Sequence, residues 1–475
     1  MGNGIIHKYV SAKPDSNDSS LVQPSNWNAE HVGGTGRSAS YVIAAFDAGI
    51  VSKAQADVIC TGTNDDAVIQ SGITAIQSTG KGCLLLSEGN YNLNASVNLA
   101  TGIDIKGVGR GTFVNTTGNF AAFKITGTSG TPVGDLMIRD LQITGSGKAN
   151  TSNYGISITF GTHVWMQNLY FTKLYAGLYT KGTYFSTLSN FLMQGTGANQ
   201  MEYGVLTDWQ DATHKNELQL INGIIGNCNS NGVRMKGASG VHASDVIVVN
   251  TTGYGWYFGD ESAGQYSEFI FLNNCDADCP LGTAGSGYVF IKGSADSFEG
   301  INISNCWAGG WGGYGMYFSG GVTNINISNP EIREVGSDGV NSSANGIKIM
   351  GGTIKGWDTA NTSTKYAINF NGIASSVALG VQLDANGHST AGKVRDSSGV
   401  NTIKFNPGYV TENSGASSGT GSQQTIAHGL SFTPTAQQIK LTAGSATANP
   451  YHSAAPNATN IYVTAASFQA WYWST

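Results

Sequence analysis

The chain has 475 residues, of which 40% are hydrophobic and only 11% charged, with 66 glycines, 9 prolines and a formal net charge of −6. That balance excludes a disordered chain, and the absence of any basic run excludes nucleic acid and anionic membrane as expected partners. No apolar stretch approaches the ~20 residues that span a bilayer, so no membrane insertion is expected.

Residues 1–40 are polar and aperiodic, without the basic start and apolar core of a signal peptide. Residues 63–80, TNDDAVIQSGITAIQSTG, follow a helical period. Thr63 is the expected N-cap with Asp66 three positions on; Val68, Ile69, Ile73 and Ile76 share one apolar face, and Gly80 ends the element. Strand-like runs GCLLLSEGNYNL and IDIKGVG come next, so the helix reads as a lid on the end of a β-stack.

Two interleaved families of short segments then fill the middle of the chain. The first has the form x-Gly-apolar-x-apolar (YGISI, AGLYT, YGVLT, NGVRM, YGWYF, SGYVF, YGMYF) around Gly155, Gly177, Gly204, Gly232, Gly255, Gly287 and Gly315, spaced by 22, 27, 28, 23, 32 and 28 residues. The second is an alternating run ending in Asn or Asp: Asn168, Asn190, Asn222, Asp245, Asn274, Asn305 and Asn329. The tetrad INIS occurs in it twice, at 301–304 and 325–328. Period-two alternation means strands, and no intervening segment is long enough for a crossover helix. Short strands recurring at this interval predict a parallel β-solenoid, each coil about 4.8 Å above the last. Asn at one register predicts a corner ladder in left-handed geometry, a structural role.

Residues 411–424, TENSGASSGTGSQQ, read as a linker, and the alternating segments beyond them as a separate small β-domain that would gain from oligomerisation. The six cysteines, Cys60, Cys83, Cys228, Cys275, Cys279 and Cys306, are too sparse for a disulfide framework and complete no zinc pattern. They are expected to be buried free thiols; no metal or cofactor is expected.

The stretch from Cys60 to Thr112, CTGTNDDAVIQSGITAIQSTGKGCLLLSEGNYNLNASVNLATGIDIKGVGRGT, resembles the opening of pectate-lyase-like right-handed β-helix proteins. Residues 24–32, PSNWNAEHV, resemble a segment of phage structural proteins, and the C-terminal GTGSQQTIAHGLSFTPT is similar to the ends of phage tail fibres and tailspikes. The resemblance implies an all-β chain. It would comprise an N-terminal extension or virion-attachment segment (1–40), a capping helix with first coils (41–115), a right-handed parallel β-helix (116–410) and a small β-sandwich-like C-terminal domain for trimerisation or glycan binding (411–475). It further implies a homotrimer on the virion tail, attached to a tail or baseplate protein through its N-terminus. Its substrate would be a bacterial surface polysaccharide (capsule, exopolysaccharide or lipopolysaccharide), depolymerised or bound without cleavage. The polygalacturonase elements of that superfamily are absent, Gly387-His388 and His428-Gly429 lying outside any such context.

Cleaving a glycosidic bond needs two carboxylates roughly 5 to 9.5 Å apart, which adjacent or alternate coils supply. Counting from the glycines puts Asp208 and Lys236 at one register, with Asp260 and Lys292 one step later and Glu261 beside Asp260. Counting from the asparagines puts Asp276, Trp307 and Glu331 at one register, with Asp278 and Arg333 beside them. The expected acids are thus Asp208, Asp260, Glu261, Asp276, Asp278 and Glu331. The expected sugar contacts are Lys236, Trp307, Trp311, Tyr314 and Arg333, because apolar sugar faces stack on aromatic rings. Glycines 309, 310, 312 and 313 suggest an exposed loop there. The polar segment 208–217 adds Asp211, His214 and Glu217. A glycoside hydrolase is favoured over a lyase, although these residues do not separate the two.

Overall fold

Alternation along each repeat is what closes the coil: apolar side chains turn inward, polar ones outward, and the backbone pairs with the coils above and below. The computed structural model describes residues 39–196, 201–211, 213–259, 266–292, 297–344, 346–371, 376–396, 403–404, 414–429 and 433–474. Its body is a right-handed parallel β-helix with three faces, every pairing in its ladders parallel. Faces 1 and 2 share long strands such as Gly161–Thr172 and Ser239–Val249, which split later into pairs such as Tyr266–Asn273 and Asp276–Thr283. Face 3 is the separate ladder from Val97–Leu99 to Gly392–Asp396.

The corner between faces 1 and 2 falls on the asparagine series. Asn168, Asn190, Asn222, Asp245, Asn274, Asn305 and Asn329 all have φ between 50° and 57°, a region Asn and Asp tolerate best among residues with a Cβ. Their side chains bond across coils: Asn168 to Asp140 (2.8 Å), Asn222 to Asn190 (2.8 Å), Asn274 to Asp245 (2.6 Å) and Asn329 to Asn305 (3.0 Å). The INIS repeat has the same cause. Ile301 lies on Ile325 and Ile303 on Ile327 in the core, while Asn326 donates to Asn302 outside at 3.2 Å.

The glycine series forms a second column, at the entry to face 3. A Cβ on Gly255 would sit 2.7 Å from the carbonyl oxygen of Gly287, and one on Gly287 2.7 Å from that of Gly315. Side chains are excluded there because successive coils approach too closely. Just inside, Phe258, Phe290 and Phe318 stack at 5.0 Å centroid spacing, fully buried.

At the N-terminal end lie helices α1 (Ile50–Gln55) and α2 (Asp65–Thr79). α2 buries Ile69, Ile73 and Ile76 against the first coil, and Gly80 ends it at φ 120°. The N-cap is Asn64, not Thr63, and its side chain makes no cap bond. The first-turn acids hold the first coil instead. Asp65 accepts from Gly62 N–H (3.0 Å) and Asn92 N–H (2.8 Å), and Asp66 accepts from Asn94 N–H (2.8 Å).

The C-terminal residues form two three-stranded antiparallel sheets around Ile439, Ile461, Val463, Trp471 and Trp473. The linker expected over 411–424 is corrected in part. Ser414–Ser418 is a strand paired with Ala470–Ser474, and Gln423–Ala427 pairs with Asn460–Thr464. Small residues suit the first of these because the Trp473 indole lies on Gly415, 2.5 Å from where a Cβ would be. All six cysteines are free; Cys83 is half-buried and the others buried.

Candidate functional site

Face 2 carries the asparagine-counted residues, and its register brings them together. Asp276 pairs with Trp307 and Trp307 with Glu331; one step along, Asp278 pairs with Gly309 and Gly309 with Arg333. Each lies two or four residues past a corner Asn or Asp, so alternation turns it outward. Asn274, Asp276, Asn305, Trp307, Asn329 and Glu331, floored by Cys306, line a cleft of about 290 Å³.

Burial, and secondarily the charge of Asp278, raises the Asp276 carboxyl above the ordinary range. Glu331 forms an ion pair with Arg333, whose guanidinium lies 5.5 Å from the centre of the Trp307 ring. The indole rests on Gly309, where a Cβ would stand 2.8 Å from the ring. Asp276 and Glu331 are two rungs apart, about 10 Å along the stack by ordinary strand spacing. The cleft therefore holds a half-buried acid, a paired carboxylate and an aromatic surface between them. A roomier hollow of about 390 Å³ on the same face, lined by Arg110, Tyr170, Leu192 and Ile224, has no carboxylate.

Three of the expected sugar contacts, Trp311, Tyr314 and Lys236, are elsewhere. Trp311 is wholly buried and its indole N–H donates to the Ala277 carbonyl at 2.9 Å. Gly310, at φ 79°, and a register shift opposite Asp278–Thr283 reset the alternation and turn Trp311 inward. Gly309 and Gly310 therefore belong to strand Trp307–Trp311, not to an exposed loop. Tyr314 stacks on Tyr317 of face 3 at 5.1 Å, away from Trp307.

The glycine-counted residues lie on face 3. Lys181 pairs with Asp208, and the Lys236 N–H donates to the Thr207 carbonyl at 3.3 Å, which continues the register. Asp208 accepts from the Tyr179 hydroxyl at 3.0 Å. Asp260 and Glu261 lie outside the described residues. In the polar segment, His214 Nδ1 lies 2.7 Å from Asp211, whose carboxyl is lowered, desolvation being outweighed by bonds from His214 and Thr213. Burial raises Glu217. Lys181 was not among the expected residues, although the glycine count reaches it: it stands four residues past Gly177 in AGLYTK, as Asp208 and Lys236 stand past theirs. Among the described residues, no group of three or more His, Cys, Asp or Glu is placed to hold a metal ion.

Fold and cleft together define a parallel β-helix protein with paired acids and an indole on an outer face. No protein-family model and no curated protein matches the chain. Among solved structures it is similar to the A-module of mannuronan C-5 epimerase AlgE4 from Azotobacter vinelandii, at 15% identity over 72% of this chain and 96% of that one, TM-score 0.45. It is also similar to tailspike protein 3 of bacteriophage CBA120, at 13% identity over 72% and 59%, TM-score 0.42. The catalytic domain of a GH87 alpha-1,3-glucanase in complex with nigerose matches at 13% identity over 71% and 66%, TM-score 0.39.

Proposed function

We propose that the chain recognises a bacterial surface polysaccharide and hydrolyses it in the face 2 cleft, as a glycoside hydrolase of a phage tailspike. The observation that carries this reading is the register Asp276–Trp307–Glu331 with the raised carboxyl of Asp276. Asp276, its carboxyl raised by burial, donates its proton to the glycosidic oxygen as the C1–O bond breaks. Glu331, with Arg333 as counter-ion, removes a proton from the water whose oxygen bonds to C1. A spacing of two rungs, about 9.6 Å between backbones, stands at the wide end of the roughly 6.5–9.5 Å between the carboxyls of inverting glycosidases and leaves room for that water. Trp307, one rung from each acid, would carry the apolar face of the sugar, and Asp278 raises Asp276 further.

The tail assignment rests on the sequence resemblances of the N-terminal and C-terminal segments. In this reading residues 1–40 attach to the virion, 41–115 cap the helix, 116–410 carry the substrate and 411–475 trimerise or bind glycan. The test incubates the full chain with a panel of purified capsular and lipopolysaccharide glycans and follows products by mass spectrometry and anomeric NMR. Addition of water with inversion is expected. An unsaturated uronate would make the chain a lyase. Glycan binding without any cleavage would leave a receptor-binding protein.

A further inference from the structure

The outer side of a solvated sheet should be polar, yet face 3 carries tyrosines in stacked pairs. Tyr154 lies on Tyr179 at 4.5 Å and 8°, Tyr254 on Tyr257 at 5.3 Å, and Tyr314 on Tyr317 at 5.1 Å. Tyr203, Leu206 and Ala176 form a buried cluster outside the main core, with Tyr154, Tyr175 and Tyr179 packed against it. Arg234 pairs in register with Leu206 on one side and Tyr257 on the other. Its guanidinium lies 5.9 Å from the ring centres of both Tyr203 and Tyr257, and it donates to the Tyr203 hydroxyl at 3.3 Å.

Beside this array opens a hollow of about 460 Å³ lined by Ser230, Asn231, Arg234, Thr252, Tyr254 and Tyr257 among others. That volume falls within the ~300–1,000 Å³ of small-ligand sites. Ring faces alternate there with hydroxyl, amide and guanidinium groups, the mixture a pyranose needs for its apolar face and its equatorial hydroxyls. Arg234 is the one charged residue of the lining, and the column Lys181, Asp208 and Lys236 lies two residues further along the same face.

We propose that this tyrosine and arginine shelf is a second, non-catalytic glycan-binding site that takes pyranose rings of the polysaccharide. The proposal rests on the reading that the chain acts on a glycan, but on none of the face 2 residues. A concave hollow of small-ligand size, lined by amide, hydroxyl and guanidinium groups between ring faces, favours a sugar over the broad contact core of a protein partner.

The test uses the full chain carrying Asp276→Asn and Trp307→Ala, which disables face 2, and a printed array of purified bacterial capsular and lipopolysaccharide glycans. Binding to at least one glycan should persist in that background, and adding Tyr254→Ala or Arg234→Ala should weaken it about tenfold or more. Tyr254→Phe, which keeps the ring, should retain most of it. Thermal melts establish that each variant is folded. Residual binding indifferent to Tyr254→Ala and Arg234→Ala in folded protein would overturn the shelf, as would a change of sedimentation mass in place of a change in binding. Loss of all binding with the face 2 variants, while the wild type cleaves, would overturn the shelf and leave the proposed function standing. Binding that depends on Tyr254 in a chain that cleaves nothing would do the reverse. A wild-type chain that binds no glycan on the array would overturn both.

Discussion

Replacing Asp276 by Asn removes the proton donor while leaving the shape of the cleft almost unchanged. General acid catalysis supplies about 10²–10⁴ in rate, so kcat should fall by that factor, or about 2.7–5.4 kcal/mol of barrier, with KM little moved. Because burial and Asp278 raise the Asp276 carboxyl, the acid is active below its folded pKa and kcat should decline as pH rises through it. Asp278→Asn should move that decline to lower pH by removing the neighbouring charge. The same shift has a sign for stability. A carboxyl with its folded pKa above the unfolded value contributes stability fully present below the unfolded pKa and lost as pH rises through the folded one. Asp276→Asn should therefore be no less stable than wild type at neutral pH while nearly inactive. The coil geometry sharpens the test, because Thr353 follows Glu331 in register. Moving the base with Glu331→Gln and Thr353→Glu puts three rungs, about 14 Å, between the acids and should abolish cleavage. Moving it with Glu331→Gln and Trp307→Glu leaves one rung, about 4.8 Å, near the 5–5.5 Å of retaining enzymes, so any residual product should keep its anomeric configuration. Initial rates across pH 4–9 on a cleaved glycan, with NMR of the first products, measure all of this. Wild-type turnover by Asp276→Asn, or an unshifted pH limb in Asp278→Asn, would refute the assignment.

Three further outcomes follow from the same geometry. Trp307→Ala should raise KM roughly tenfold in steady-state assays, the effect of losing one stacked ring, and Gly309→Ala should move KM the same way by lifting the indole. Gly255→Ala should destabilise by about 1–3 kcal/mol in urea titrations, since its Cβ would meet the Gly287 oxygen and the Ala277 methyl, each at 2.7 Å. A gain in stability there would mean the glycine column has another cause. Asn305→Ala should cost about 1–2 kcal/mol for the left-handed backbone together with its ladder bonds, while Asn305→Gly recovers the backbone part; equal losses in thermal melts would refute the corner argument.

The sequence made the coil legible because one constraint, strand spacing, acts on every turn and leaves the same residue types at the same register. Asn is repeated where φ is positive and Gly where carbonyls crowd, so counting from either column predicts vertical neighbours in the fold. That count put Asp276, Trp307 and Glu331 together. It failed where a local device breaks the alternation. Gly310 reverses parity within five residues of Trp307, so two tryptophans four apart in NCWAGGWGGY point to opposite sides of the sheet. It failed again where small residues do packing work, as when Gly415 beneath Trp473 gives a strand the composition of a linker. The ring-over-glycine contact recurs at Tyr257 over Gly259 and Trp307 over Gly309, in both cases two residues apart on an outer face. An aromatic followed two positions later by glycine in a β-coil is therefore a signal that the ring lies flat along the sheet. At Trp307 the flat ring lines the cleft, whereas at Tyr257, which is buried, Tyr254 stacks on it at 5.3 Å and the ring backs the shelf.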